Sequence, residues 1–324
     1  EGQFCQALGS NCEAVLQQHW GSWFNETDIA ALAAAGVTHL RIPVGYWLVD
    51  PTPPFVSGLA YLNASLVHIA ATNMKVIIDL HGAPGSQNGH DNSGWTGPIE
   101  WNTPANINKT IDVLGQLAYL STEWNAAPST ANVVQGIELL NEPWTTAVGG
   151  PIQLSTLTAF YKQAYARVRA TGFTGDVWFH DGFAYTDPAF EGLLAPPDAY
   201  SVFIDTHVYH CFGGPRQAGS PWANVAYTCN HDLPMVANQT KTDWTVVGEW
   251  SLATGPSTPN TPAGNAWATS FASAQLQAYC PQCWSSSAPE NPGKGSFFWN
   301  FKIEPGSHEE WNYLLGVERG WFSP

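Results

Sequence analysis

The chain has 324 residues, 44% of them hydrophobic, and carries a formal net charge of -15 although only 11% of its residues are charged. Its length suits one large domain, and no apolar run approaches the roughly 18 residues that a membrane helix needs, so no membrane partner is expected. Acidic groups outnumber basic ones 26 to 11, which leaves no basic surface to neutralise phosphates and excludes nucleic acid and anionic membranes as partners; the expectation is a soluble monomer.

In chain order, Glu1 to Trp20 offers no convincing strand. A helix is predicted over Glu26 to Ala35, where Asn25 is the cap, Ile29, Leu32 and Ala33 give the spacing, and Gly36 is the stop. Seven short apolar or β-branched runs follow, at Val37 to Val44, Lys75 to Leu80, Val133 to Leu140, Asp176 to His180, Ser201 to Val208, Thr245 to Trp250 and Ser296 to Phe301. Helical patterns separate several of them, from Leu59 to Thr72, Asn106 to Trp124, Leu154 to Ala170 and Ala263 to Tyr279. Continuous apolar runs fit strands buried on both faces, and their alternation with helices predicts an α/β fold in a single domain over 1–324. A (β/α)8 TIM barrel of about 250 residues plus insertions fits the length but needs an eighth strand before Val37. Either that strand is absent from the chain, which lacks an initial Met and reads as a processed or trimmed form, or an irregular segment fills its place. A doubly wound sheet, which tolerates seven strands, is the alternative.

The six cysteines fall into three sequence-local pairs, Cys5 with Cys12, Cys211 with Cys229 and Cys280 with Cys283, read as disulfides, although six cysteines allow about 15 connectivities. A redox or zinc site at Cys280–Cys283 is the competing reading. Sequons begin at Asn25, Asn63, Asn108 and Asn238. With the paired cysteines they point to a secreted, extracellular or cell-wall glycoprotein.

Reactive side chains gather at the C-terminal ends of the runs, where a barrel carries its active site: Arg41, His81, Asn141 and Glu142, His207 and Tyr209, Glu249 and Trp299. Glu142 precedes Pro143, which is expected to hold it extended at the end of its strand. Glu249 follows an apolar run between Gly248 and Trp250. Each carboxylate alone reads equally well as a structural group. Together they supply what glycoside cleavage needs, a protonated acid for the leaving oxygen and an ionised group for the anomeric carbon. The 16 Trp, 11 Tyr and 15 Phe fit a sugar substrate, while packing accounts for most of them individually. The loop Gly85–Gly94 is polar, with Gln87, Asn88, Asp91 and Asn92 read as hydroxyl-binding groups. His207 and His210 would lie on opposite faces of a strand, which argues against a shared metal ion, and phosphate-loop and nucleophilic Ser or Cys motifs are missing.

Arg-Ile-Pro-Val-Gly-Tyr-Trp at 41–47, Asp-Leu-His-Gly-Ala-Pro-Gly-Ser-Gln-Asn-Gly at 79–89, Leu-Leu-Asn-Glu-Pro at 139–143 and Gly-Glu-Trp-Ser at 248–251 resemble glycoside hydrolase family 5, nearest to its fungal exo-β-1,3-glucanase branch. The resemblance runs from about Trp20 to the C-terminus. It implies a (β/α)8 barrel, retention of anomeric configuration, β-glucan polysaccharide or oligosaccharide as substrate with release of glucose, and neither metal nor other cofactor. Glu142 would be the acid/base and Glu249 the nucleophile. Asn141 would hold the sugar 2-hydroxyl, Tyr209 and Arg41 would support the nucleophile, His81 and His207 would line the cleavage subsite, and Trp299 would floor it. Asp91 and Asn92 match positions that hold the terminal glucose, and Phe212 matches one of two phenylalanines that clamp the next sugar. Two features depart from the branch. The other clamp position is His90, which leaves a β-1,6-glucan, a diglycoside or an aryl glucoside open as substrate. The usual opening Gly-Gly-Trp-Leu strand with its glucose-binding Glu is absent, which keeps a carbohydrate-binding protein without turnover as a further alternative.

Overall fold

The computed structural model describes residues 1–185, 187–217, 220–239, 243–258, 260–280, 294–304, 306 and 308–322. The chain divides into two compact units, Glu1–Ala184 with Leu193–Val202, and Tyr185–Gly192 with Phe203–Pro324.

The first unit opens with helices α1 (Gly2–Leu8), α2 (Cys12–Trp23) and α3 (Glu26–Ala34). Among the described residues no strand precedes β1 (His39–Gly45), so the place left open for a first strand or an irregular segment is helical. The expected Cys5–Cys12 disulfide joins α1 to α2. Asn25 caps α3 as predicted: its Oδ1 accepts from the backbone N–H groups of Thr27 and Asp28, while Asp28 accepts from the backbone N–H of Asn25, a reciprocal cap that contributes about 1 kcal/mol.

Strands β1, β2 (Lys75–Gly82), β3 (Val134–Glu138) and β4 (Asp176–His180) then pair in chain order, all parallel. Parallel neighbours need a crossover of a dozen or more residues, supplied here by α4 (Leu59–Ala71), α5 (Pro104–Ala126) and α6 (Leu154–Arg169). All of β2 after Lys75 is buried, whereas β1, at the edge of this set, is mostly half-exposed and carries the exposed Pro43. Proline, with no N–H to give a ladder, suits an edge strand.

The second unit holds β5 (Val202–Val208), β6 (Trp244–Trp250) and β7 (Ser296–Phe298), again parallel and in chain order. Its connecting segments are α7 (Pro221–Tyr227), one π-helical turn at Thr228–Asp232, α8 (Leu233–Gln239), α9 (Pro262–Tyr279) and, after β7, α10 (Tyr313–Glu318). Val208, Val236, Val247, Trp250, Phe271 and Trp321 form its core. Among the described residues no helix is long and apolar enough to cross a membrane.

One predicted disulfide is corrected: Cys211 and Cys229 are free thiols. Thr228 and Asp232 turn inward from the π-helical turn, so Cys229, the next residue round, faces outward and is exposed, while Cys211 is half-buried. Cys280 is disulfide-bonded; Cys283, its predicted partner, lies outside the described residues. The four sequon asparagines are all exposed, as glycosylation requires.

Candidate active site

Alternation along a strand puts every second side chain on one face, and register then decides which of them meet. In the first unit Asp79 of β2 lies opposite Glu138 of β3, and both carboxylates are completely buried. Two buried carboxylates side by side demand a cation, and Arg41 of β1 supplies it. Its Nε donates to Glu138 Oε2 at 2.6 Å, and its Nη2 lies 3.1 Å from Asp79 Oδ2 and donates to Asn141 Oδ1 at 2.8 Å. His81 donates from Nδ1 to Asp79 Oδ2 at 2.6 Å, and its Nε2 faces Asn141 Nδ2 at 3.4 Å. Arg41, His81 and Asn141, three of the predicted residues, thus meet in one polar network.

Glu142 follows Asn141 in a conformation unlike the extended one expected before a proline, with φ +43°. Such a backbone costs about 1–2 kcal/mol in a residue with a side chain. Neighbouring bonds enforce it: the Trp144 N–H donates to the Gln87 carbonyl at 2.9 Å, and Gln87 Nε2 donates to the Asn141 carbonyl at 2.9 Å, so the chain turns sharply between two anchors. The Glu142 carboxylate is half-exposed and accepts from Asn92 Nδ2 at 3.1 Å. Asn92 accepts in turn from Asn88, and Asp91 accepts from the Asn92 backbone N–H; Asp91 and Asn92 are both exposed.

Gln87 and Asn88, read as sugar-binding groups, are buried. Gln87 accepts from the Ala83 N–H and donates to the carbonyls of His81 and Asn141, so its amide braces the loop. Exposed His90 lies edge-on to Trp144, with centroids 5.2 Å apart, and Phe183 lies edge-on to the same indole at 5.6 Å.

In the second unit Glu249, near the end of β6, is 5% exposed. Its Oε2 accepts from the Tyr209 hydroxyl at 2.7 Å and lies 3.5 Å from His207 Nδ1. The other nitrogen of His207 faces Asp205 Oδ2 at 3.2 Å, and Asp205 Oδ1 accepts from the Gly248 N–H at 2.6 Å. A side chain at residue 248 would run into this carboxylate, since a Cβ there would stand 2.2 Å from Asp205 Oδ2. Phe212, 77% exposed, lies edge-on to Tyr209 at 5.3 Å, and Trp311 packs on the same phenol at 5.2 Å. Trp299 follows β7 and donates its backbone N–H to the Trp250 carbonyl. His207, Tyr209, Phe212 and Glu249 therefore gather as predicted, and His210 has other partners, bonding Asp232.

Reading the sequence missed Asp79, Glu138 and Asp205, which orient the predicted residues, and Trp144 and Trp311, which flank them. The first three carried a usable signal, an acid inside an otherwise apolar run, because acids are almost never fully buried unless paired.

The chain matches the family model Cellulase (glycosyl hydrolase family 5) over residues 6–287. It is 38% identical over 262 residues to the glucan 1,3-beta-glucosidase of Blumeria graminis and 38% identical over 259 residues to glucan 1,3-beta-glucosidase 2 of Wickerhamomyces anomalus. Each match takes in 78% of this chain and 57% of the other protein, so the chain spans a little over half the length of these relatives. Among solved structures it is similar to a rutinosidase from Aspergillus niger, with a TM-score of 0.79 and 23% identity over 98% of this chain and 88% of that one. That likeness shows the fold class, the (β/α)8 TIM barrel, with seven of its strands among the described residues. The motifs, the strand-end carboxylates and the family match over residues 6–287 agree: the chain belongs to glycosyl hydrolase family 5.

Proposed function

We propose that the two units together make one catalytic domain, a retaining β-glycosidase that hydrolyses β-1,3-glucan from its ends and releases glucose. The names of the curated relatives support the substrate. The observation that carries the chemistry is the contrast between the two glutamates. Glu249 is enclosed and aimed by the Tyr209 hydroxyl, as a nucleophile must be, and Glu142 is half-exposed on a strained turn where its carboxylate accepts from the Asn92 amide, as suits a group that exchanges protons with a leaving group and with water.

Glu142 donates its proton to the glycosidic oxygen while a Glu249 oxygen attacks the anomeric carbon and forms the glycosyl-enzyme. Glu142 then takes a proton from water, whose oxygen displaces Glu249 with net retention. The mechanism requires carboxyl groups about 5 Å apart, against roughly 6.5–9.5 Å for inversion. Asn141 holds the 2-hydroxyl, Tyr209 and Arg41 support the nucleophile, His81 and His207 line the cleavage subsite, Trp299 floors it, Asp91 and Asn92 take the terminal glucose and Phe212 the next sugar. Secretion is supported by the exposed sequons and the Cys5–Cys12 disulfide.

The test is a product time course on laminarin beside pustulan. Glucose alone from laminarin, with the β-anomer formed first, is the expected result; oligosaccharides would overturn the exo assignment, and silence on both the activity. Glu249→Ala should abolish turnover, and Glu142→Ala should be partly spared on aryl glucosides with activated leaving groups; equal loss on both substrates refutes the roles. A second reading, a β-1,6-glucan or small glucoside as substrate, is favoured by His90, whose polar ring stands on Trp144 where the branch has phenylalanine. Faster glucose release from pustulan would establish it.

A further inference from the structure

We propose that Asp79 and Glu138 are positioning residues that act through Arg41 to fix which end of the Asn141 amide meets the substrate, and so set how strongly the enzyme uses the sugar 2-hydroxyl. The inference rests on the glycosidase reading above and adds two residues to it.

An asparagine amide keeps nearly the same shape when its oxygen and nitrogen are exchanged, so packing alone does not choose its orientation. A guanidinium chooses it, because it only donates. Arg41 Nη2 stands 2.8 Å from the Asn141 amide, which obliges Asn141 to turn Oδ1 to the arginine and Nδ2 away from it. At the Nδ2 side stands His81 Nε2, 3.4 Å away. That nitrogen is the acceptor of the ring because His81 gives its Nδ1 hydrogen to Asp79. One Nδ2 hydrogen then goes to His81, and the other is left for a sugar oxygen.

Everything upstream of this choice is held by the two acids. Glu138 grips Nε of the arginine and Asp79 grips Nη2, the guanidinium side chain is only 2% exposed, and both carboxylates are completely buried. A fork held at two points cannot rotate about its long axis, which a single ion pair would permit. Asp79 takes part twice, through the arginine on one side of Asn141 and through the histidine tautomer on the other. The strand register that sets Asp79 opposite Glu138 makes the arrangement possible.

The experiment compares an activated aryl β-glucoside with its 2-deoxy analogue, using the wild-type chain, Glu138→Gln and Asp79→Asn. Wild type should favour the 2-hydroxy substrate. Each variant should lose about ten- to a hundredfold in kcat/KM on the glucoside, the scale of a misplaced catalytic contact, and under about threefold on the 2-deoxy analogue, so that discrimination collapses. Equal losses on both substrates would mean the acids only support the fold, and the proposal would fall. Thermal melts identify a variant that does not fold, in which case Arg41→Lys, which keeps the charge and loses the fork, takes its place with the same expectation. If wild type hydrolyses neither substrate, the glycosidase reading fails by itself. The positioning claim is then judged on the Asn141 side-chain amide resonances, assigned with Asn141→Asp: a shift in Glu138→Gln supports it, and unchanged resonances overturn it.

Discussion

After β2 the chain runs through the loop Gly85–Gly94, and after β5 through residues 209–217, and the two loops are built by opposite means. The first is braced along its length mainly by hydrogen bonds between uncharged groups. Ser86 bonds Ser93, Gln87 bonds three backbone groups, and Asn88 bonds Asn92, with Ser86, Gln87, Asn88 and Ser93 all buried. The second is pinned at its ends and free at its tip. His210 bonds Asp232 at 3.0 Å, the Arg216 guanidinium bonds the same carboxylate at 2.8 Å, and Phe212 between them is 77% exposed. A loop that must present small polar groups at fixed angles gains from many weak, directional bonds. One that presents an aromatic face needs only secure ends.

The comparison breaks most easily at Asp232. Asp232→Asn should cost about 3 kcal/mol, near the lower end for a broken buried pair because Arg216 keeps 19% exposure. The urea midpoint should fall while KM for the glucan rises, and an unchanged midpoint would mean that the ion pair does not hold the loop. Gln87→Ala comes next, at roughly 2–3 kcal/mol for backbone partners left unpaired in the interior. Because Gln87 also anchors the turn at Glu142, kcat should fall with it; loss of stability at full kcat would show that the turn does not depend on the brace. Phe212→Ala should shift stability by less than about 0.5 kcal/mol, as surface changes do, yet raise KM for laminarin several-fold and leave small aryl glucosides alone. The smallest effect is chemical. Burial pushes the Cys211 thiol up to about 11, so iodoacetamide without reductant should label exposed Cys229 first, and Cys211 slowly, faster as pH rises toward 11 and its thiolate forms. A protein that takes up no label at either cysteine would restore the Cys211–Cys229 disulfide.

Strands β2 to β6 were legible because they are mostly buried and so nearly continuous in apolar residues. The run from Asp176 to His180 matches β4 at both ends. The run from Ser296 to Phe301 overreached because the strand stops at Phe298 and the chain turns at Trp299. Helices α1 and α2 went unread because they bury little: Cys12 is the one buried residue of α2, and Val15 is 39% exposed, so their apolar positions show no stripe. The helical stretch from Pro221 to Gln239 was hidden by its composition, since Pro221 and Pro234 both sit where a helix begins and resemble loop residues when no periodic pattern follows. In the site, Glu142 and Glu249 could be found because they stand beside a proline and a glycine at strand ends. The left-handed turn at Glu142 could not, because it is set by bonds to Gln87, more than 50 residues earlier in the chain.

Gly248 constrains any attempt to reshape this protein by mutation. A side chain at the residue next to the candidate nucleophile would displace the Asp205 carboxylate, which holds the Gly248 N–H and faces His207. A library that randomises the residues around Glu249 should therefore disturb the Asp205–His207 contact with nearly every codon at position 248. Exposed positions on the two loops, His90 on one and Phe212 on the other, can vary without disturbing that carboxylate.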